Sequence, residues 1–335
     1  MQTAILGRFV VERLKRFAAA RESSAANQNP LWRRPSQGYF CHPLDMNPRT
    51  LGFSLLILTA VGALAQPATE IPSTPPGPAS TDGTGGAQDY SIVERGAYYR
   101  IWSKVRWETN ALGGVMARTN SYTELASGMY YLDGGQWLES MELIESVPGG
   151  AVARHGQTQV LFANNLATAG AVDLQTSDGK HLTSHVTGLS YFDSASGTNI
   201  LIASVKDCQG KILPPNQVIY EDAFDGFKAS VRYTYTRGSF EQDIILLESP
   251  ALPEAYGLDP ATTRLVVMTE FLNPPQPAVQ ESVIKDPAGA PLQDDTLDFG
   301  ALHIGPGTGV LLGTNASGAE LRIFKQWAEM EGRQF

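Results

Sequence analysis

Residues 227–247 read Phe227-Lys228-Ala229-Ser230-Val231-Arg232-Tyr233-Thr234-Tyr235-Thr236, then Arg237-Gly238, then Ser239-Phe240-Glu241-Gln242-Asp243-Ile244-Ile245-Leu246-Leu247. Aromatic and β-branched residues alternate with polar ones at a period of two, the repeat of a strand with one buried face. Val231, Tyr233 and Tyr235 share one face; Arg232, Thr234 and Thr236 share the other. Arg237-Gly238 is a turn signal, so the two runs are expected to form a hairpin.

The same texture extends in both directions. Residues 98–102, 105–107, 160–162, 171–174, 181–186, 199–205, 218–220 and 265–271 are short Val-, Ile-, Tyr- and Phe-rich runs separated by turn residues. Residues 129–132 and 136–138 flank Asp133-Gly134-Gly135 and read as a further hairpin. No convincing amphipathic helix follows Gln66. Many short strands with frequent turns predict an all-β protein, an antiparallel β-sandwich built as one unit or as two packed β domains. Asn273-Pro274-Pro275-Gln276-Pro277 stops the strand before it. A β domain is therefore expected over 90–272 and a β-rich continuation over 273–335. Arg333-Gln334-Phe335 looks like the opening of another strand, so the chain reads as part of a longer protein.

The N-terminal region has a different character. Residues 51–63 form an uncharged apolar run preceded by Met46 and Arg49 and followed by Ala63-Leu64-Ala65-Gln66, the pattern of a signal peptide over 46–65. The run is about 13 residues, short of the roughly 20 that cross a bilayer, so no stable membrane insertion is expected after cleavage. An uncleaved signal would instead anchor the domain. Residues 1–45 then read as an extension upstream of a true start at Met46; Ile5, Leu6, Phe9, Val10, Leu14 and Phe17 within it have the spacing of a basic amphipathic helix. Residues 66–89 are rich in Pro, Gly, Ser and Thr with Ile71 the one large apolar residue, a flexible tether.

The 335-residue chain carries a formal charge of −9. Residues 1–65 hold eight basic and three acidic side chains, which leaves 17 basic and 31 acidic ones afterwards, a formal −14. No basic patch is evident after Gln66, so nucleic acid and anionic lipid are not expected partners. Cys41 precedes the signal and Cys208 is the other cysteine, so the exported part has no internal disulfide and rests on its core. Cys208 reads as a small buried residue.

Searches for chemistry return few candidates. No G-x-S-x-G elbow surrounds any serine, and Gly305-Pro306-Gly307-Thr308-Gly309 lacks the ending of a phosphate loop. His181 and His185 are four apart on a strand, about 13 Å along it. Glu221, Asp222 and Asp225 surround Ala223-Phe224 in an acidic aromatic loop, and Asp294, Asp295 and Asp298 suggest a second. A solvated acidic turn is the default reading and no cofactor is expected, with calcium the alternative because oxygen-rich loops of this kind also bind it. Carboxylate pairs would also serve a glycosidase. Trp102, Trp137 and Tyr131 are the candidate sugar-stacking residues among the strand aromatics.

Two segments, Arg154-His155-Gly156-Gln157-Thr158-Gln159-Val160-Leu161-Phe162 continuing to Leu174, and Val231 to Leu246, resemble the N-terminal region of large secreted β-rich bacterial proteins, some of RHS/YD-repeat type. The similarity covers roughly residues 98–271 and implies a bacterial envelope or extracellular setting. It carries over no catalytic residue, and this chain has no YD repeats. The expected function is a non-catalytic secreted module of a larger surface or extracellular protein, for assembly, display or partner binding. The alternative is a carbohydrate-binding or glycoside-hydrolysing protein.

Overall fold

The computed structural model describes residues 2–12, 56–59, 90–285, 291–305, 307–312 and 320–335. The signal cleavage site, the 66–89 tether and Cys41 lie outside the described residues. What is described is nearly all β, with one 3-10 turn at Pro253–Tyr256. The pairings are antiparallel throughout, apart from those of the N-terminal strand.

The hairpin at 227–247 forms as its alternation requires. Ala229–Tyr235 pairs with Ser239–Leu246, Tyr233 opposite Gln242 and Arg232 opposite Asp243. Val231, Tyr233 and Tyr235 are buried, while Arg232 and Thr234 are half-buried on the other face. Arg232 grips Asp243 through Nε at 2.9 Å and Nη2 at 2.6 Å, which keeps that buried carboxylate from being an uncompensated charge. Gln217–Tyr220 and Gly210–Leu213 extend the ribbon on one side.

A second series runs Gly150–Ala153, Gln159–Ala163, Val172–Gln175 and His181–Asp193. His181–Asp193 is the longest strand and pairs with both Thr198–Ser204 and Thr263–Leu272. The two series meet in sandwich-like packing. Phe162 lies 5.8 Å from Tyr233 and 6.1 Å from Phe240, Tyr233 stacks on Phe240 at 5.6 Å, and Tyr220 meets Tyr233 edge-on at 6.1 Å. Offset and edge-on rings at these separations add about 0.5–1.5 kcal/mol per pair beyond burial.

The proline-rich stretch ends the strand Thr263–Leu272, but it does not end the core. Leu297, Phe299, Leu302, Ile304 and Ile323 join the same buried cluster as Phe162 and Tyr233, and Trp327 packs on both Phe271 and Phe299. Cys208 is buried and free, its thiol donating to the Glu221 carbonyl, and burial raises its pKa.

Two expectations are corrected. The helix expected from the spacing at 5–17 is absent over Gln2–Glu12, which is a strand parallel to Ser239–Leu246 on one side and to Gly307–Leu312 on the other. Sheet neighbours on both sides supply backbone partners that local periodicity cannot outweigh. The acidic loop expected at 294–298 is instead part of the strand Pro291–Asp298. Asp294 and Asp295 are buried, tied to Lys325 Nζ at 3.3 Å and to the Trp327 amide at 3.0 Å.

The core tyrosines differ in one respect that makes them testable. Tyr220 donates its hydroxyl to the Ala163 carbonyl and Tyr235 to the Thr158 carbonyl, whereas the buried Tyr233 hydroxyl has no partner among the described residues. An unpaired buried hydroxyl is a cost and a paired one a gain. Tyr233→Phe should therefore leave thermal stability unchanged or raised. Tyr220→Phe and Tyr235→Phe should each lose about 0.5–1.5 kcal/mol in denaturant titration. A large loss for Tyr233→Phe and none for the other two would refute this assignment.

His185 gives a pH prediction. Its Nδ1 accepts the Gly170 amide at 3.3 Å, and its Nε2 lies 3.5 Å from Glu270, which also takes Arg333 at 3.2 Å. Burial pushes the imidazole below its ordinary value of 6.5, with the Glu270 carboxylate pulling the other way and Arg333 adding to the decrease. The unfolded chain then takes up a proton that the folded one resists, so stability rises with pH in this range. Tm should fall as the pH is lowered through the ordinary histidine range, and His185→Gln should flatten that slope. A wild-type Tm that is level across this range counts against the buried neutral imidazole.

Candidate functional site

The hairpin Tyr130–Asp133/Gln136–Glu139 places two of the candidate aromatics. Its turn carries Gly134 and Gly135 at φ 55° and 82°, left-handed values that suit glycine at both central positions of a tight hairpin turn. Leu132 sits opposite Trp137 across this ladder. Trp137 and Tyr131 both line a cleft of about 390 Å³. The other walls come from Ala97 and Tyr98, from Gly156, Gln157 and Gln159, and from the turn after Gln175.

Each wall is fixed by identifiable bonds. Gln157 donates its side-chain amide to the Ala97 carbonyl at 2.6 Å and the Tyr130 carbonyl at 2.9 Å, clasping two segments of low mutual sequence proximity. Tyr131 reaches His155 Nδ1 at 3.2 Å, and His155 Nε2 is 3.2 Å from Glu145. The imidazole thus links the Tyr131 hydroxyl to the Glu145 carboxylate. Arg154, 2.7 Å from Glu145, holds that carboxyl below its usual range, with His155 contributing. Thr176 is buried and closes its own turn by accepting the Lys180 amide at 3.1 Å.

Gln159 and Gln175 are directly opposed across the ladder between Gln159–Ala163 and Val172–Gln175, and both are exposed. Opposed side chains on one face are neighbours about 5 Å apart at Cβ. Trp137, 37% exposed, presents part of its ring beside them. The lining holds aromatic faces, amides and hydroxyls, and no Asp, Glu, Lys, Arg, His or Cys. Such a surface can stack on an apolar ring face and hydrogen-bond hydroxyls; the Tyr131 phenol at its wall is backed by His155 and Glu145.

Trp102 is placed elsewhere. It lies on Tyr99–Thr109, donates its indole N–H to Glu124 at 2.9 Å, stacks on Tyr122 at 6.2 Å and carries the Arg100 guanidinium 4.9 Å from its ring centre. Its ring surface and its polar edge are thus engaged by residues of its own sheet. Arg100, bonded to Glu124 through Nε and Nη2, keeps that carboxyl below its ordinary range.

The acidic loop is not drawn together either. Glu221 is paired with Lys211, and Asp222, at φ 53°, with Lys206 at 2.8 Å. Asp225 is exposed, its backbone amide bonded to the Ser204 carbonyl at 2.8 Å. Among the described residues no group of three or more His, Cys, Asp or Glu converges as a metal site. His155, His181, His185 and His303 are each beside a different carboxylate. The residues missed by sequence reasoning are Gln157, Gln159 and Gln175. Gln159 opens its strand and stands opposite Gln175 in register, a pairing that no local sequence signal carries.

No protein-family model, curated protein or solved structure matches the chain. The geometry of the cleft is accordingly what bears on function.

The clasp at Gln157 can be checked directly. Gln157→Leu should leave the Ala97 and Tyr130 carbonyls without their donor at a cost of about 1–3 kcal/mol. Amide exchange over 91–98 should then accelerate while exchange in Ala229–Tyr235 stays slow. Unchanged protection of 91–98 would show that the clasp does not hold this wall.

Proposed function

We propose that this chain is a non-catalytic, exported β module of a larger bacterial surface or extracellular protein, and that its cleft beside Trp137 binds a neutral, hydroxyl-rich partner, with a glycan as the best chemical fit. The observation that carries the reading is the cleft lining itself. Trp137 and Tyr131 share it with Gln157, Gln159 and Gln175, and no carboxylate, lysine or arginine lines it among the described residues. Sugar recognition uses this combination of a ring face for C–H surfaces and amides for hydroxyls. Hydrolysis would require two carboxyl groups roughly 5–10 Å apart across the same cleft. The signal-like segment at 46–65 and the 66–89 tether support export and attachment to a larger assembly.

A glycan-array screen followed by titration calorimetry tests the proposal, run with calcium and again with chelator. Saturable binding to one class of neutral sugar is expected. Trp137→Ala should weaken it by about 1–2 kcal/mol, 5- to 30-fold in Kd. Gln159→Ala should weaken it less, and Trp102→Phe should leave it unchanged. Loss of binding with chelator would move attention to Glu221, Asp222 and Asp225. A folded protein that binds no sugar, or binds equally without Trp137, would leave assembly or display as the reading.

A further inference from the structure

Residues 99–125 form a long antiparallel hairpin, Tyr99–Thr109 paired with Val115–Leu125. Every residue from 105 to 123 is exposed. Its base is tied down: the Ala126 amide donates to the Tyr98 carbonyl, and Arg100, Trp102 and Glu124 are bonded together. The outer half is therefore an arm with solvent on both faces. A two-stranded ribbon of this kind is marginal alone and gains from a partner.

The arm is graded along its length. Its apex is Leu112, 96% exposed, in a turn closed by Asn110, whose side-chain oxygen accepts the Leu112 and Gly114 amides at 3.0 and 2.8 Å. Trp107, 71% exposed, and Val115 lie on one face, and Met116 lies on the other. The tip thus carries an exposed apolar side chain on each side and at its end, with Glu108 opposite Met116 turned back toward Arg118. A flat protein surface would cover one face only, whereas a medium that surrounds the tip would cover all three.

Behind the tip is a basic waist. Arg106 and Arg118 are directly opposite one another across the ladder, with Lys104 one same-face step closer to the base. Like charges placed opposite one another destabilise a strand pair. Glu108 offsets one of them, at 3.0 Å from Arg118. The arginine level lies three ladder steps from the last pair of the tip, Thr109 and Val115, about 10 Å at ~3.4 Å per residue. That matches the depth of about 5–10 Å at which amphipathic elements sit in a bilayer interface. Charge is also segregated: residues 90–125 hold five basic and three acidic side chains, whereas 126–335 hold 12 and 25. The local basic patch that the linear sequence concealed is assembled by strand register.

We propose that this hairpin is a peripheral membrane-docking arm, with Trp107, Leu112, Val115 and Met116 entering the interface of an anionic bilayer while Arg106, Arg118 and Lys104 engage its headgroup phosphates. Aromatic and aliphatic residues at the tip with cations just behind them reproduce the transverse polarity of a bilayer half. Docking of this kind inserts no spanning segment; no helix among the described residues is long and apolar enough to cross a membrane.

The test uses the full chain with two kinds of vesicle, phosphatidylcholine alone and phosphatidylcholine with phosphatidylglycerol. Binding is read by co-sedimentation and by quenching of tryptophan fluorescence with brominated lipid. Sedimentation with the anionic vesicles is expected, reduced by high salt and near background without phosphatidylglycerol. Leu112→Ser and the double change Arg106→Glu/Arg118→Glu should each reduce partitioning by about tenfold or more. Trp107→Phe should abolish the bromine quenching while retaining much of the binding. All these positions are exposed, so circular dichroism should be unchanged. Two results would overturn the proposal. One is vesicle binding that is the same in the arm variants, since another segment then carries it. The other is arm-dependent self-association in sedimentation velocity without vesicle binding, which would assign the arm to a second copy of the chain.

Discussion

The contact between Phe162, Tyr233 and Phe240 is the constraint from which the remaining features follow. These rings belong to two separate strand series, and their packing is what turns two ribbons into one folded unit. Each ring buried from water contributes roughly 1.5–3 kcal/mol, and among the described residues the one cysteine, Cys208, is free, so no disulfide there shares the load. Tyr220 and Tyr235 extend the cluster and spend their hydroxyls on carbonyls of the opposing series, which fixes how the ribbons align. The strand Gln159–Ala163 is thereby held from its buried face. Its opposite face is left to present Gln159 beside Gln175.

The cleft and the arm share a root in this arrangement. Ala97 and Tyr98 line the cleft, and the first strand of the arm begins at Tyr99. Gln157, one residue before the buried Thr158 and two before Gln159, reaches across to the Ala97 carbonyl. A core strand therefore anchors both a wall of the cleft and the base of a projecting hairpin. This is the division of labour expected when recognition sits on elements that a packed scaffold positions.

Much of the fold was legible because strand alternation is a local signal. Val231, Tyr233 and Tyr235 were separable from Arg232 and Thr234 by period alone, and Gly134-Gly135 marked its hairpin through backbone conformation alone. What was illegible depended on register between distant strands. Trp102 looked like a free aromatic until Glu124 and Tyr122 were placed across the ladder from it. The exposed carboxylates of Glu221 and Asp222 each have a lysine beside them, Lys211 and Lys206, 10 and 16 residues away in sequence. Asp294 and Asp295 read as loop residues because the partners that make their burial tolerable, Lys325 and the Trp327 amide, lie 31 and 32 residues away. Arg106 and Arg118 were never seen as one patch, since 12 residues of sequence separate two directly opposed side chains.

The N-terminal strand and the signal-like segment pull in different directions. Gln2–Glu12 lies between Ser239–Leu246 and Gly307–Leu312, and Leu56–Thr59 lies between Thr263–Leu272 and Glu320–Phe324. Cleavage after Ala65 would remove both. The Gln2–Glu12 pairings are parallel on each side, in a protein whose other ladders are antiparallel, and parallel pairing is slightly weaker per residue. If the segment leaves, the backbone groups it satisfied along the main core hairpin must find water, each other or a different strand. An edge of that kind, next to the most heavily packed strands of the molecule, is one that a larger polypeptide can fill from a neighbouring segment. Any loss of Gln2–Glu12 therefore leaves one requirement behind it, the pairing of the outer edge of Ser239–Leu246.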